Sequence, residues 1–171
     1  ENKYLVDKTM FFEKMERAGH FLFLVRPRHF GKSLFLDMLE SYYDINQKDN
    51  FQELFKGLYV AEHPTKEQGE FLVLHLNFSM VGSNLDTLYE DFNIYLSRRC
   101  EFFAKKYAEY YPEGFVEDML REKTGMGMLN RIYDASHELR LKLYLIVDEY
   151  DNFTNNVLNV KGQRAYHELT H

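Results

Sequence analysis

Cysteine is nearly absent from this chain of 171 residues. The single one, Cys100, excludes an internal disulfide, and no Cys/His cluster stands at zinc spacing. Positive charge is in deficit: 21 Lys and Arg against 27 Asp and Glu leave a formal net charge of −6. That balance argues against broad, nonspecific binding to nucleic acid or an anionic membrane, while leaving room for a local basic patch. Long hydrophobic runs are missing too. No stretch reads as a signal peptide, and the longest apolar segments fall far short of the roughly 20 residues that cross a bilayer. Tryptophan, internal repeats and low-complexity segments are also lacking. A reducing cytoplasm, with no membrane partner, is the expected setting.

What is present suffices for one domain with a real core: 45% of the residues are hydrophobic and 16% aromatic. "VDKTMFFEKMERAG" reads as a helix with Asp7 as N-cap and Gly19 closing it. "HFLFLV", 20–25, is a short apolar run between Gly and Pro, the mark of a buried strand. From Lys32 to Tyr43, the residues Leu34, Phe35, Met38, Leu39 and Tyr42 share one helical face. "NFQELFKG" predicts a short helix between Asn50 and Gly57, 64–70 is a turn-rich loop, and "FLVLHLNFS", 71–79, is a second apolar strand. A long helix is predicted over 84–110. Its stripe runs Leu85, Leu88, Tyr89, Phe92, Leu96, Cys100, Phe103 and Tyr107, and Ser83 with Asp86 resembles a capping box. Pro112 opens a short helix, another helix covers 127–139, and "LKLYLIVDEYDNF" carries a third apolar strand at 141–147. Strands separated by long helical stretches indicate an α/β fold with parallel strands. Residue 1 is Glu, and "AYHELTH" stops inside what reads as a helix, so a fragment of a longer protein is expected.

Two motifs carry chemistry. Gly31-Lys32-Ser33 follows the first apolar run and opens an amphipathic helix. In such a turn successive N–H groups point inward as an anion nest, and the helix adds its N-terminal dipole. Gly31 lets the backbone approach phosphate, Lys32 reaches the β- and γ-phosphates, and the Ser33 hydroxyl can ligate Mg²⁺. The pattern G-x-x-x-x-G-K-[ST] wants glycine at position 26, where this chain has Arg26. The competing reading is a plain helix N-terminus with a surface lysine. The second motif is Asp148-Glu149, at the end of the third apolar run. Ligands of open α/β sheets bind outside the carboxyl ends of the strands. There Asp148 can hold a Mg²⁺-bound water and Glu149 can polarise an attacking water; a capped strand-to-helix turn is the alternative. Each motif ends its own apolar run, a coincidence neither plain reading explains, and together they make a P-loop nucleotide site. A second acid directly after the Walker B aspartate marks the additional-strand, catalytic-glutamate branch. That favours ATP over GTP, and no N-K-x-D element is present to read guanine.

"YLVDKTMFF", "FLVRPRHFGKSLFLDMLESYY", "LFKGLYV", "LHLNFS", "LIVDEYDN" and "AYHELTH" together resemble the AAA-ATPase-like family over nearly the whole chain. Members of this bacterial group typically join an N-terminal P-loop ATPase domain to a C-terminal PD-(D/E)XK nuclease-like domain. The family's degenerate Walker A, R-P-R-x-F-G-K-S, matches Arg26, Pro27, Arg28, Phe30, Gly31, Lys32 and Ser33, with His29 at the variable position. The resemblance implies that residues 26 to 34, ending at Leu34, bind ATP, with Lys32 on the phosphates. It implies Ser33 and Asp148 as the Mg²⁺ residues and Glu149 as catalytic base. The implied architecture is a P-loop NTPase, a three-layer α/β sandwich with a mostly parallel sheet. Such ATPases place a fourth strand, carrying a polar sensor, between strands 1 and 3. Nothing after Phe153 reads as a strand, so the domain is expected to stop before strand 4, with the gap closed by rearranged strands or another chain. Nucleic acid, through the full-length protein, and a second copy of the chain are the partners implied besides nucleotide.

Other residues leave two readings each. Arg26 and Arg28 contact phosphates, or pair with Asp148, Glu149 or a nearby helix. Tyr4, Asp7 and Lys8 border an adenine pocket, or belong to a capped packing helix. Asp151 caps the segment after it or positions metal. Phe30 packs the loop onto the core, and His75 in "LHLNF" is a sheet-face histidine rather than a ligand. Arg98-Arg99 and Lys105-Lys106 lie on a solvated helix face, with nucleic-acid contact as the alternative. The function expected is Mg-dependent ATP hydrolysis coupled to an attached effector in the full-length protein, with this fragment inactive by itself. The alternatives are a non-hydrolysing nucleotide sensor and a nucleic-acid-binding domain with a vestigial P-loop.

Overall fold

The Asp7 carboxylate starts the first ordered element. Its Oδ1 accepts from the Thr9 N–H at 2.8 Å and the Thr9 hydroxyl at 2.7 Å. A 3₁₀ turn at Thr9–Phe11 then runs into α1 (Phe12–Ala18), which Gly19 ends with φ 123°. The computed structural model describes residues 6–24, 31–81, 84 and 86–150. The chain divides into two compact units, Glu1–Leu72 and Val73–His171.

In the first unit, α1 is followed by α2 (Lys32–Tyr43), a 3₁₀ turn at Ile45–Gln47, and the short helices α3 (Phe51–Leu54) and α4 (Tyr59–Glu62). The core is aromatic. Tyr42 sits at its centre, with ring centroids of Phe12 at 4.8 Å, Tyr43 at 5.0 Å, Phe55 at 5.6 Å and Phe51 at 5.8 Å. Tilted and edge-on pairs of this kind add about 0.5–1.5 kcal/mol each beyond their buried area. The phenols need partners, and a proton chain supplies them. Thr65 N–H donates to the Tyr42 oxygen at 2.8 Å, and the Thr65 hydroxyl donates to Glu16 at 2.7 Å. Tyr42 O–H is therefore left to donate to Thr65 Oγ1 at 3.0 Å, while Tyr43 O–H donates to the same Glu16 oxygen at 3.0 Å. Asp7 and Thr9 also serve the start of α4, whose first amides have no intrahelical acceptor. Asp7 Oδ2 accepts from Tyr59 N–H at 2.7 Å and Thr9 Oγ1 from Val60 N–H at 3.1 Å. Burial pushes the Asp7 carboxyl up, but its hydrogen bonds from Tyr59 and Thr9 outweigh that and hold it below the usual aspartate value. Asp7 is thus the cap of a packing segment, one of the two readings above.

Two expectations are corrected here. The predicted first strand is not formed at 21–24: Phe21 is 91% and Phe23 82% exposed. An apolar run becomes a strand only when a neighbour takes its amides and carbonyls, and apolarity alone does not supply one. Val25 lies outside the described residues. In α2 the buried stripe is Phe35, Leu36, Leu39, Tyr42 and Tyr43, whereas Leu34 is 51% exposed. The face has rotated to bring both tyrosines onto the aromatic core.

In the second unit, β1 (Leu72–Asn77) and β2 (Leu143–Asp148) pair as a small parallel sheet, giving an α/β fold. Between them come a 3₁₀ turn at Phe78–Met80, α5 (Leu88–Lys106), α6 (Phe115–Leu120) and α7 (Gly125–Glu138). Alternate residues of a strand direct their backbone groups to the same side, and those of 73, 75 and 77 meet side chains of α5. Val73 N–H donates to Tyr107 Oη at 3.0 Å, Arg99 Nε donates to the His75 carbonyl at 3.1 Å, and Asn77 N–H donates to Tyr95 Oη at 2.6 Å. Tyr95 and Arg99 stand one turn apart on α5, and Tyr107 is the residue that ends it. A helix thereby occupies the strand edge with side chains where another strand would otherwise pair.

The helices pack around Leu96, Cys100, Phe103, Tyr107, Met119 and Ile132, all buried. Thr124 caps α7, its hydroxyl accepting from Gly127 N–H at 3.0 Å. Gly125 follows because α5 passes too close for any side chain. A Cβ there would lie 2.7 Å from Ser97 N and 2.8 Å from Leu96 Cβ. Its N–H donates instead to Asn93 Oδ1 at 2.8 Å. Ser136 donates to the Ile132 carbonyl at 2.7 Å, so the buried Tyr111 hydroxyl donates to Ser136 at 2.6 Å. Burial raises the Tyr111 phenol, against the pull of the Ser136 bond, and pushes the Cys100 thiol up to about 12 despite nearby Arg99. Cys100 is consequently a packing residue, not a nucleophile at neutral pH.

The elements of this unit differ in extent from expectation. The helix predicted over 84–110 is α5 plus a 3₁₀ turn at Ala108–Tyr110, and Tyr89 of the predicted stripe faces solvent. Ser83 and Leu85 lie outside the described residues. α6 starts behind Gly114, φ 84°, rather than at Pro112. β2 is buried on one face, at Ile146 and Asp148, while Leu145 is 54% exposed. No strand was expected after Phe153, and the segment from Asp151 onward lies outside the described residues.

Candidate nucleotide site

Gly31 stands immediately before α2 with φ 72° and ψ 31°, a left-handed conformation that costs other residues about 1–2 kcal/mol. A Cβ there would meet open space, so the backbone conformation and not crowding asks for glycine. The first intrahelical bond runs from Phe35 N–H to the Gly31 carbonyl at 3.0 Å. First-turn amides, for which a helix has no acceptor of its own, are the donors such a turn offers an anion. Lys32 is half-buried, while Gly31, Ser33 and Leu34 are exposed. Arg26, Pro27, His29, Arg28 and Phe30 lie outside the described residues, as does Tyr4.

The second motif ends β2. Asp148 is 2% exposed and its Oδ1 accepts from Glu149 N–H at 2.9 Å. Glu149 is half-buried and has φ 56°, left-handed backbone in a residue with a full side chain. Non-glycine residues are held there only when their surroundings overdetermine them, and such positions gather at functional sites. Thus Gly31 and α2 form the expected entry into a helix, without the strand expected at 21–24, and the acidic pair ends a strand as expected, each within its own unit. Among the described residues no three of His, Cys, Asp and Glu gather as a metal cage. Ser33 in the first unit offers a hydroxyl and Asp148 in the second a carboxylate; both are oxygen donors of the kind Mg²⁺ takes alongside phosphates and water.

The family described as predicted AAA-ATPase matches residues 1–171. The chain belongs to the AAA-ATPase-like family. Membership points to a nucleotide-binding, ATPase-like function, with ATP as the nucleotide. Over 62 residues this AAA-ATPase-like chain is 45% identical to an uncharacterized protein in the vnfD 5' region of Azotobacter chroococcum mcd 1. That match covers 36% of the chain and 11% of the relative. No solved structure matches. Among the described residues no helix is long and apolar enough to cross a membrane.

One group of residues was read from the sequence chiefly as a solvated helix face, with nucleic-acid contact as the alternative, and not as a cleft. Arg98 and Arg99, placed on a solvated helix face, line a cleft in the second unit together with His75. Lys105 follows the solvated reading, paired with Glu101 at 2.6 Å. The only sequence signal for the cleft was the adjacency of two arginines on α5.

Proposed function

We propose that the chain is the nucleotide-binding part of a Mg-dependent ATPase of the P-loop, catalytic-glutamate kind. The observation that carries this reading is the left-handed Gly31 heading α2, with Lys32 and Ser33 in its first turn, in a chain of the AAA-ATPase-like family. The α2 amides and the Lys32 ammonium would hold the β- and γ-phosphates; residues 26–30 complete the loop in this reading, and Leu34 follows Ser33 on it. Ser33 and Asp148 would hold Mg²⁺, which when bound offsets the charge on the phosphate oxygens. Glu149 would accept a proton from the water attacking the γ-phosphorus in line, the ADP oxygen leaving opposite. The strained backbone at Glu149 supports that role, since it fixes the carboxylate's approach at an energetic cost. In the full-length protein we infer that the nucleotide state is passed to an attached effector domain.

The test is ATP binding and hydrolysis by full-length protein. Lys32→Ala should abolish tight ATP binding. Glu149→Gln should keep binding and lower turnover by about 10²–10⁴-fold, the usual contribution of a general base. Normal turnover in Glu149→Gln would overturn the base assignment. ATP binding without turnover in the unsubstituted protein would make it a nucleotide sensor instead.

A further inference from the structure

The second unit carries a cleft of about 590 Å³, lined by His75, Asn77, Asp91, Tyr95, Arg98 and Arg99. That size is ordinary for a small-molecule site. The cleft is built and not merely surface. Arg99 spends one of its five N–H donors on the His75 carbonyl, and its guanidinium lies 5.4 Å from the Phe102 ring centroid. Its fork is thus held in place, and among the described residues its terminal donors make no other hydrogen bond. Arg98 is exposed and, among the described residues, neither arginine pairs with a carboxylate. On a chain of net charge −6, two adjacent guanidiniums against one carboxylate, Asp91, leave the cleft a local reversal of sign. Tyr95 is held by the bond from Asn77 N–H, and Met80 and Ile94 add exposed apolar surface beside it.

We propose that this cleft is an anion site separate from Gly31-Lys32-Ser33, and that it takes the phosphate ester of a nucleotide unit. The guanidiniums of Arg98 and Arg99 grip the phosphate oxygens. Tyr95 with the Met80 and Ile94 surface lies against the base, as in sequence-tolerant recognition of single strands. Asp91, held by the Thr87 hydroxyl at 2.9 Å, puts a negative charge in the same cleft. It makes a dense polyphosphate costly and leaves a singly charged phosphodiester the better match. The chemistry is shared by a free nucleoside monophosphate and a nucleic-acid strand, and Asp91 favours the strand.

Fluorescence anisotropy of a labelled oligothymidylate with the full-length protein tests this. Arg98→Glu, which removes no bond among the described residues, should weaken binding about tenfold or more, the worth of one charged hydrogen bond. It should also lower the slope of log K against log salt by about 0.7, since one phosphate is no longer neutralised. Lys105→Glu makes the same charge change on the same helix outside the cleft and should alter affinity less than about twofold. Lys32→Ala should leave oligothymidylate binding intact, which separates failure here from failure of the ATP site. Unaltered binding by Arg98→Glu, or equal weakening by Lys105→Glu, overturns the proposal. Displacement by unlabelled AMP at the same nucleotide concentration identifies the free nucleotide as the source, and displacement by oligomers alone identifies the strand; either result places a phosphate ester in the cleft.

Discussion

A single hydroxyl decides whether the Val73 amide can be buried. Tyr107 supplies its acceptor at 3.0 Å, and both residues are buried. Tyr107→Phe keeps the ring and strands the N–H, so it should cost about 1–3 kcal/mol, read as a lower urea midpoint with unchanged m; an unchanged midpoint would mean another acceptor is at hand. Gly125→Ala should cost about 1–3 kcal/mol by overpacking, because the new methyl meets the α5 backbone, which yields less readily than a side-chain tip. Asp7 sets an acid-side dependence. Its folded value is lowered, so its contribution is present above the unfolded aspartate value of about 3.9 and is lost as pH falls through the lower folded one. Asp7→Ala should therefore be less stable than the unsubstituted chain at neutral pH, with the gap closing below about pH 4 in acid unfolding curves. A gap that stays constant through that range would show the hydrogen bonds to Thr9 and Tyr59 do not depend on the charge.

At the scale of elements, the end of β2 trades regularity for a turn. Glu149→Gly should relieve the left-handed backbone by about 1–2 kcal/mol, offset by about 1 kcal/mol of added freedom in the unfolded chain. The net expectation is a melting temperature no lower than before, together with lost ATP turnover; a clear fall in stability would show that the conformation is not strained. How far such elements can be read in advance depends on how local their cause is. The helix at Lys32, the Gly19 stop and the strand ending at Asp148 rest on periodicity, capping and apolar runs, and they appear where those signals put them. The strand expected at 20–25 needed a partner that no local signal supplies, and 21–24 are not a strand. Gly125 carries no local signal, since the reason for it, the α5 backbone, lies about 30 residues away in sequence. Leu34 and Leu36 are equally apolar, and only the position of the aromatic core decides which is covered. The turn at Gly31 and the helix after it were legible because their causes lie within one short stretch of chain. The cleft at Arg98 and Arg99 was not, because helix and strand build it together.

The molecule as a whole has two separate cores, an aromatic one in Glu1–Leu72 and a mainly helical one in Val73–His171. Phe12→Ala and Ile132→Ala, each at a fully buried site, should cost about 2–5 kcal/mol. Native-state hydrogen exchange should show the loss first in the unit that carries the substitution, Phe12→Ala in the amides of α2 and Ile132→Ala in those of α5 and α7. Equal loss throughout would make the two cores a single cooperative unit. The side chains that α5 lays along β1 also give the sheet a polarity. Its growth is blocked where Tyr95, Arg99 and Tyr107 already occupy the backbone, so any strand that joins later, from this chain or another, has to enter beside β2. Among the described residues, the side of the sheet left for pairing is the one beside β2.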